Sequence, residues 1–212
     1  MESMSRRLSF LWQKGENKMK VAVLAVQGAF IEHERMLEQL GVECIELRKK
    51  EDVYKEYDAI VLPGGESTVQ GKLIHELGMF ETIKSQIEDG MPVLATCAGL
   101  ILLAKNLSND AKTHIGTLPV TVKRNAYGRQ LGSFYTEAKM EGIGTVPMTF
   151  IRAPYIEQVG DDVEVLAKVD GNIVAVRYEN QIGLSFHPEL DDDLRIHKQF
   201  LSLIEKRESL AS

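Results

Sequence analysis

Basic charge, cysteine, proline, tryptophan and long apolar runs are all scarce in this chain, and each scarcity removes a class of protein. Acidic residues outnumber basic ones 31 to 25, a formal net charge of −6. Without clustered Lys and Arg there is little to neutralise phosphates, so no nucleic-acid partner is expected. The two cysteines, Cys44 and Cys97, lie far apart and form no CxxC pair. They give neither a zinc signature nor a disulfide framework, and they suit a reducing cytosol, so a cytoplasmic protein is expected. No apolar run approaches the ~20 residues of a membrane span. Leu8-Ser9-Phe10-Leu11-Trp12 is too short and interrupted for the apolar stretch of a signal sequence. With 6 prolines and 1 tryptophan in 212 residues, no linker, repeat or low-complexity tract divides the chain.

What is present fits one ordinary α/β domain. Apolar residues make up 44% and charged residues 26%, close to the globular average. A chain of this length buries about 70% of its unfolded surface and needs no metal or disulfide staple. Met1–Lys18 is polar and irregular and reads as an extension outside the fold, such as an upstream start or a tag remnant leaves. A second methionine, Met19, opens the first strand pattern, so the domain is read as residues 19–212. Strand-like and helix-like runs then alternate, as in a domain built on a largely parallel sheet. Strands are predicted over Lys20–Val26, Glu43–Leu47, Ala59–Leu62 and Pro92–Ala95, and helices over Ala29–Leu40, Ser67–Leu77, Met79–Asp89 and Leu100–Leu107. From about Gly116 the pattern turns to short β segments: Thr117–Arg124, Gly132–Ala138, Val146–Ile151, Val163–Val169, Asn172–Glu179 and Gln181–Phe186. These finish the main sheet and add a small mixed or antiparallel element, and a helix from Asp193 to about Lys206 packs back on the sheet.

Three stretches carry chemistry. In Val93-Leu94-Ala95-Thr96-Cys97-Ala98-Gly99-Leu100 an apolar strand stops at a small-residue turn that leads into a helix. That is the layout of a nucleophile elbow, which exposes one side chain above a sheet. A helix N-terminus beyond Cys97 favours a thiolate and offers N–H groups to an anion. A buried, inert cysteine fits the same stretch, and the elbow alone does not choose between them. Phe186-His187-Pro188-Glu189 ends another apolar strand. A catalytic thiol needs a base, and the base needs a third group to fix its tautomer. His187 and Glu189, two apart, would share one face of a regular strand, and Pro188 would end that strand at a carboxyl-end loop. A surface histidine beside a solvated glutamate is the bland alternative. Leu62-Pro63-Gly64-Gly65-Glu66-Ser67-Thr68 combines paired glycines, whose backbone can point N–H groups into a site, with a Ser or Thr able to cap the next helix. A plain turn would look the same.

Together with Arg124-Asn125-Ala126-Tyr127-Gly128-Arg129-Gln130 and the opening Val23-Leu24-Ala25-Val26-Gln27-Gly28-Ala29, these stretches resemble the hallmarks of class I glutamine amidotransferases. More narrowly they resemble the PdxT/SNO family, the glutaminase subunits of pyridoxal 5′-phosphate synthase. The likeness runs from about Met19 to Leu201. The Cys and His-Pro-Glu motifs mark the class, and Gly-Gly-Glu-Ser-Thr with the Arg-Asn-x-x-Gly-Arg-Gln run marks the subfamily.

The resemblance implies a three-layer α/β/α, flavodoxin-like sandwich with a mostly parallel central sheet. It implies that Cys97 attacks the glutamine amide, that His187 is base and then acid, and that Glu189 orients His187. The backbone N–H groups of Gly65 and Ala98 would form the oxyanion hole. Gly64, Gly65 and Glu66 would surround the glutamine, Arg124 would grip its α-carboxylate, and Ile151 and Arg152 would form the other wall. Gln27 would lie beside the oxyanion hole in a segment that responds to the partner. Such a site uses no metal or organic cofactor; pyridoxal phosphate would be made on a barrel-shaped PdxS/SNZ-type synthase that receives the ammonia. Departures from the family pattern are Ala95, where Gly is common two before the nucleophile, Tyr127 in place of Phe, and Leu131-Gly132. A glutaminase serving imidazole or aminobenzoate synthesis, a peptidase or chaperone with an elbow cysteine, and a non-catalytic binding protein of the same fold are the alternatives. Elsewhere, Cys44 is expected to be core packing, and His33, His75 and His197 to take surface or helix-end positions. His114 falls in a loop, and Asp191-Asp192-Asp193 is expected to cap the last helix.

Overall fold

The structure, a computed structural model, describes residues 18–108, 110, 113–124 and 133–211. The extension before Lys18, and the positions Asn125–Gln130, Tyr127 among them, with Leu131-Gly132, lie outside the described residues. Twelve strands are described: β1 (Lys20–Leu24), β2 (Glu43–Leu47), β3 (Ala59–Leu62), β4 (Val93–Thr96), β5 (Ala104–Leu107), β6 (Leu118–Lys123), β7 (Ser133–Met140), β8 (Gly144–Ile151), β9 (Tyr155–Val159), β10 (Glu164–Val169), β11 (Asn172–Tyr178) and β12 (Gln181–Leu184). The helices are α1 (Phe30–Gln39), α2 (Ser67–Glu76), α3 (Phe80–Glu88), α4 (Ala98–Leu103) and α5 (Arg195–Ala211).

The main sheet runs β2-β1-β3-β4-β12-β11-β9-β6-β5, with β10 beside β11. From β2 to β12 every pairing is parallel. β1, β3, β4 and β12 are almost wholly buried, as strands covered on both faces must be. Alternate side chains feed two cores. Leu24, Ile60, Leu62 and Ala95 join Ile74 of α2, Ile83 of α3 and Leu100 of α4. Val23, Val61, Leu94 and Leu184 join Leu37 of α1 and Ile196, Phe200 and Ile204 of α5. Helices therefore cover both faces, the three-layer arrangement the family resemblance implies. Ala95, the departure at the elbow, has its methyl in the first core. β7 and β8 form a separate antiparallel ribbon that packs on the α1/α5 side through Phe150 and Phe186, ring centroids 5.7 Å apart. Among the described residues no helix is long and apolar enough to cross a membrane.

Three expectations need correction. The helix expected over Leu100–Leu107 stops at Leu103, and Ala104–Leu107 is a strand parallel to β6. A continuing helix would offer the Leu102 carbonyl to Asn106, but that carbonyl accepts from Ile115 N at 2.9 Å instead. β9, with polar Glu157 and Gln158 in its middle, has no counterpart in the sequence pattern and pairs antiparallel with β6. The strand expected to reach Phe186 ends at Leu184.

Candidate active site

Three adjacent parallel strands end side by side: Leu62 of β3 is in register with Ala95 of β4, and Leu184 of β12 with Thr96. The residues that follow them are Pro63-Gly64-Gly65, Cys97, and Ser185-Phe186-His187. Beyond the carboxyl ends of an open α/β sheet is where such folds bind ligands. All three chemically promising stretches therefore converge on one spot.

Cys97 sits at the β4–α4 junction with φ 46° and ψ −97°. That is unfavourable for a residue bearing a Cβ, and it is held by the Cys97 N–H donating to Leu184 O at 2.8 Å. Gly99 permits the turn: a methyl there would lie 2.0 Å from Leu62 O. The thiol is 7% exposed and lies 3.8 Å from the carbonyl oxygen of Ile151, at the end of β8. Arg152 follows with φ 45° and an exposed side chain.

His187 and Glu189 meet, though not by sharing a strand face. After Leu184 the chain bends, His187 N–H donates to Thr149 O of β8 at 2.8 Å, and Pro188–Leu190 form a 3-10 turn. The turn folds Glu189 back so that its Oε1 is 2.7 Å from His187 Nδ1. Both are buried, 6% and 5% exposed. Burial works against a charge on His187, but its side-chain hydrogen bonds to Cys97 and Glu189, and the charges of both, outweigh it and lift its pKa to about 10. Burial also opposes the Glu189 carboxylate; the His33 ring and the bond to His187 overcome it and hold its pKa below the usual range. The imidazole is clamped by the glycine loop as well: a methyl on Gly64 would lie 2.2 Å from His187 Cε1.

The glycine loop is tied to the loop after β1. Gln27 Oε1 accepts from Glu66 N at 2.8 Å and lies 2.4 Å from where a Gly65 Cβ would stand, so Gln27 does flank Gly65. Gln70, fully buried on α2, donates to Gln27 O at 2.9 Å and Pro63 O at 3.2 Å. The cap of α2 is neither Ser67 nor Thr68: Glu66 is the N-cap, accepting from Thr68 N and Val69 N, because a carboxylate both bonds the free N–H groups and faces the positive end of the helix. Arg124 closes the rim, 2.7 Å from Asp110 Oδ2, 3.0 Å from Thr68 Oγ1 and 3.5 Å from Glu66 Oε1.

Two residues expected at surface or helix-end positions are buried beside this site. His33 of α1 and His197 of α5 are both fully buried, with His33 Nδ1 3.0 Å from His197 Nε2 and His33 Nε2 3.3 Å from Glu189 Oε2. A signal for them existed: His33 falls between Phe30 and Leu37 on the inward stripe of its helix, and His197 beside Ile196, Phe200 and Leu201. His75 does sit near its helix end, stacked on Phe80 at 3.9 Å, and the ring of His114 rests on Gly71 of α2. Cys44 is partly buried, its thiol pushed up to about 12 first by burial and then by Glu34 and Glu38. Of the acidic trio, Asp193 accepts from Arg195 N at the start of α5, and Asp191 accepts from Thr149 Oγ1. No group of three or more His, Cys, Asp or Glu side chains among the described residues could hold a metal ion.

The SNO glutamine amidotransferase family matches residues 23–206. The pyridoxal 5′-phosphate synthase subunit PdxT of Desulfitobacterium hafniense is 67% identical over 186 residues, 88% of this chain and 94% of that protein. The protein of that name from Streptococcus pneumoniae is 52% identical over 192 residues, 89% of this chain and 99% of its own. A crystal structure of a glutamine amidotransferase superposes with TM-score 0.83 at 43% identity, over 87% of this chain and 98% of that one. PurLQS from Thermotoga maritima, 18% identical with TM-score 0.67 over 90% of this chain and 99% of that one, shares the fold.

Proposed function

The chain belongs to the SNO glutamine amidotransferase family, and from that membership we propose that Cys97, His187 and Glu189 carry the hydrolysis of L-glutamine. The activity is that of a glutaminase that supplies ammonia for pyridoxal 5′-phosphate synthesis, as one subunit beside a synthase partner. What most supports the residue assignment is the row at the strand ends: a strained Cys97, His187 whose charge Cys97 and Glu189 favour, and Glu189 2.7 Å behind His187.

Each group has one task. His187 takes the proton of Cys97, whose sulfur attacks the side-chain amide carbon of glutamine, and the carbonyl oxygen becomes an oxyanion. The N–H groups of Gly65 and Ala98 receive that charge; Ala98 opens α4, where first-turn N–H groups have no intrahelical acceptor. Such a donor contributes roughly 3–4 kcal/mol in acyl-transfer enzymes. The His187 imidazolium protonates the departing nitrogen, ammonia leaves, and a thioester remains. His187, now neutral, takes a proton from water, which attacks the thioester and releases glutamate with the thiolate restored. Glu189 keeps the Nδ1 proton of His187 directed away from the sulfur. Gly64, Gly65 and Glu66 line the glutamine, Arg124 holds its α-carboxylate through a two-pronged contact, and Ile151 and Arg152 form the facing wall. Gln27, bonded to Glu66 N, couples the glycine loop to the docked partner. We take that partner to be a (β/α)₈-barrel synthase of the PdxS/SNZ type, and residues 19–212 to be the amidotransferase domain. The widely spaced Cys44 and Cys97 suit a reducing compartment, which supports a cytoplasmic reaction.

The test is release of ammonia and glutamate from L-glutamine, with and without the barrel synthase, by wild type and Cys97→Ala. Synthase-stimulated release that the substitution abolishes is the expected outcome. Release indifferent to the synthase would overturn the partner, and no release under any condition would overturn the catalytic assignment.

A further inference from the structure

We propose that His33, backed by His197, is a positioning residue of the glutaminase reaction: its Nε2 proton is directed at the Glu189 carboxylate, so that Cys97, His187, Glu189, His33 and His197 form one buried row. The proposal rests on the role given above to Glu189.

Glu189 has two oxygens and His187 uses one. The other, Oε2, is buried and has no hydrogen bond of good geometry among the described residues; His33 Nε2 stands 3.3 Å from it. A buried carboxylate oxygen with no donor near it is expensive, and an imidazole lone pair aimed at it would be repulsive. His33 Nε2 must therefore carry a proton, shared between Glu189 Oε2 and Thr96 Oγ1, which lies 3.1 Å away at the end of β4.

The far end of the row selects the same tautomer independently. If His33 Nε2 bears the proton in a neutral ring, Nδ1 is an acceptor, and His197 Nε2, 3.0 Å away, is its donor. His197 Nδ1 is then a bare lone pair, and it is indeed buried without a partner. The opposite assignment would leave an orphaned N–H at that atom, the rarer and costlier defect. Burial is the largest influence on both rings and favours their neutral forms, lowering the pKa of His33 and pushing His197 down to about 3. The charged and titratable neighbours are few. His33 faces Glu189 and His187 from the loop after β12, His197 from α5 and Glu32 on its own helix; Glu189 and His33 face His197, and Asp191 neighbours Glu189.

Without that donor the carboxylate is less stable and its proton affinity rises. The acid limb of activity, where Glu189 becomes protonated and releases His187, then moves to higher pH. A packing role alone would leave the limb in place.

The experiment measures glutamine hydrolysis by the full chain with its synthase across pH, and in parallel the pH profile of Cys97 alkylation by iodoacetamide. The variants are His33→Phe, which keeps a ring and removes the donor, and His33→Gln, whose amide N–H can reach the Nε2 position. For His33→Phe we expect kcat about 10- to 100-fold lower, the usual size for a hydrogen bond to a charged group. KM should change less than about twofold, and both profiles should shift upward by about one pH unit. His33→Gln should restore most of each. His197→Phe should shift both in the same direction by less, and it supplies the same comparison if His33→Phe does not fold. Profiles that overlay the wild type, or activity that falls only with the folded fraction, would overturn the proposal. If the wild type releases no ammonia at all, the proposed function fails, while the alkylation profiles still decide the row: shifted, it stands; overlaid, it falls.

Discussion

Glu189 and Arg124 are both charged groups of the proposed site, yet they are held in opposite ways. Glu189 is 5% exposed, with His187 on one oxygen and His33 facing the other, and the groups that act on it come from α1 and the loop after β12, with His197 of α5 behind His33. Its position is set by the packing of the whole α1/α5 layer. Arg124 is at the rim, its charge shared between Asp110 and Glu66, whose side chains are 33% and 50% exposed. Those pairs are exchangeable, because partly solvated ion pairs are worth only about 0–1 kcal/mol. The back of the site is thus built for fixed geometry and the rim for exchange of partners. Changes behind Cys97 should appear in kcat and changes at the rim in KM.

The largest effect tests the premise. Cys97→Ala should reduce glutamine turnover by roughly 10⁴- to 10⁶-fold, as losing a nucleophile does elsewhere, while calorimetry still detects glutamine binding. Retained turnover would remove the distinction between back and rim altogether. Gly64→Ala comes next. The added methyl would stand 2.2 Å from His187 Cε1, so the ring must move by about an ångström, a displacement that typically costs about 10²-fold in rate. The fall should lie in kcat, with the fold intact by near-ultraviolet circular dichroism. A rise in KM at unchanged kcat would mean that Gly64 belongs to the rim.

Arg124→Lys moves to the rim itself. Lysine keeps the charge but cannot reproduce the fork that matches a carboxylate, so KM for glutamine should rise about tenfold with kcat nearly unchanged. An equal fall in kcat would show that the α-carboxylate contact also aligns the amide, and would erase the contrast.

The same division explains what could be read in advance. Cys97 and Gly99 were legible because an apolar strand, a small-residue turn and a helix are contiguous, and local sterics decide the elbow. His187 and Glu189 were legible as a pair for a different geometric reason than spacing suggests: Pro188 opens a 3-10 turn, and Thr149 of the ribbon holds His187 N–H. His33 and His197 lie 164 positions apart, and a lone histidine on a helix carries no mark of the partner that a second helix will bring. Their places in two apolar stripes were visible; their meeting was a property of the packed layer. The strand β5 was hidden because Leu100, Leu103 and Leu107 keep helical spacing while the carbonyl of Leu102 is taken by Ile115, a contact made by the tertiary fold. Asp110 on Arg124 was hidden for the same reason, since nothing local to either residue records it.

Asp110 supplies the smallest and most discriminating effect. Its carboxylate sits 2.7 Å from Arg124, on the guanidinium where the glutamine α-carboxylate is proposed to bind, so substrate must displace one carboxylate to install another. Asp110→Asn keeps the shape and removes the charge. Because the pair is partly solvated, its loss should lower KM by less than about fivefold, leave kcat unchanged, and weaken with added salt, which screens exposed pairs. The double variant with Arg124→Lys should lose most of that gain, since the competition exists only through the fork. A gain in kcat instead would mean that Asp110 reaches the buried row and that back and rim are one machine.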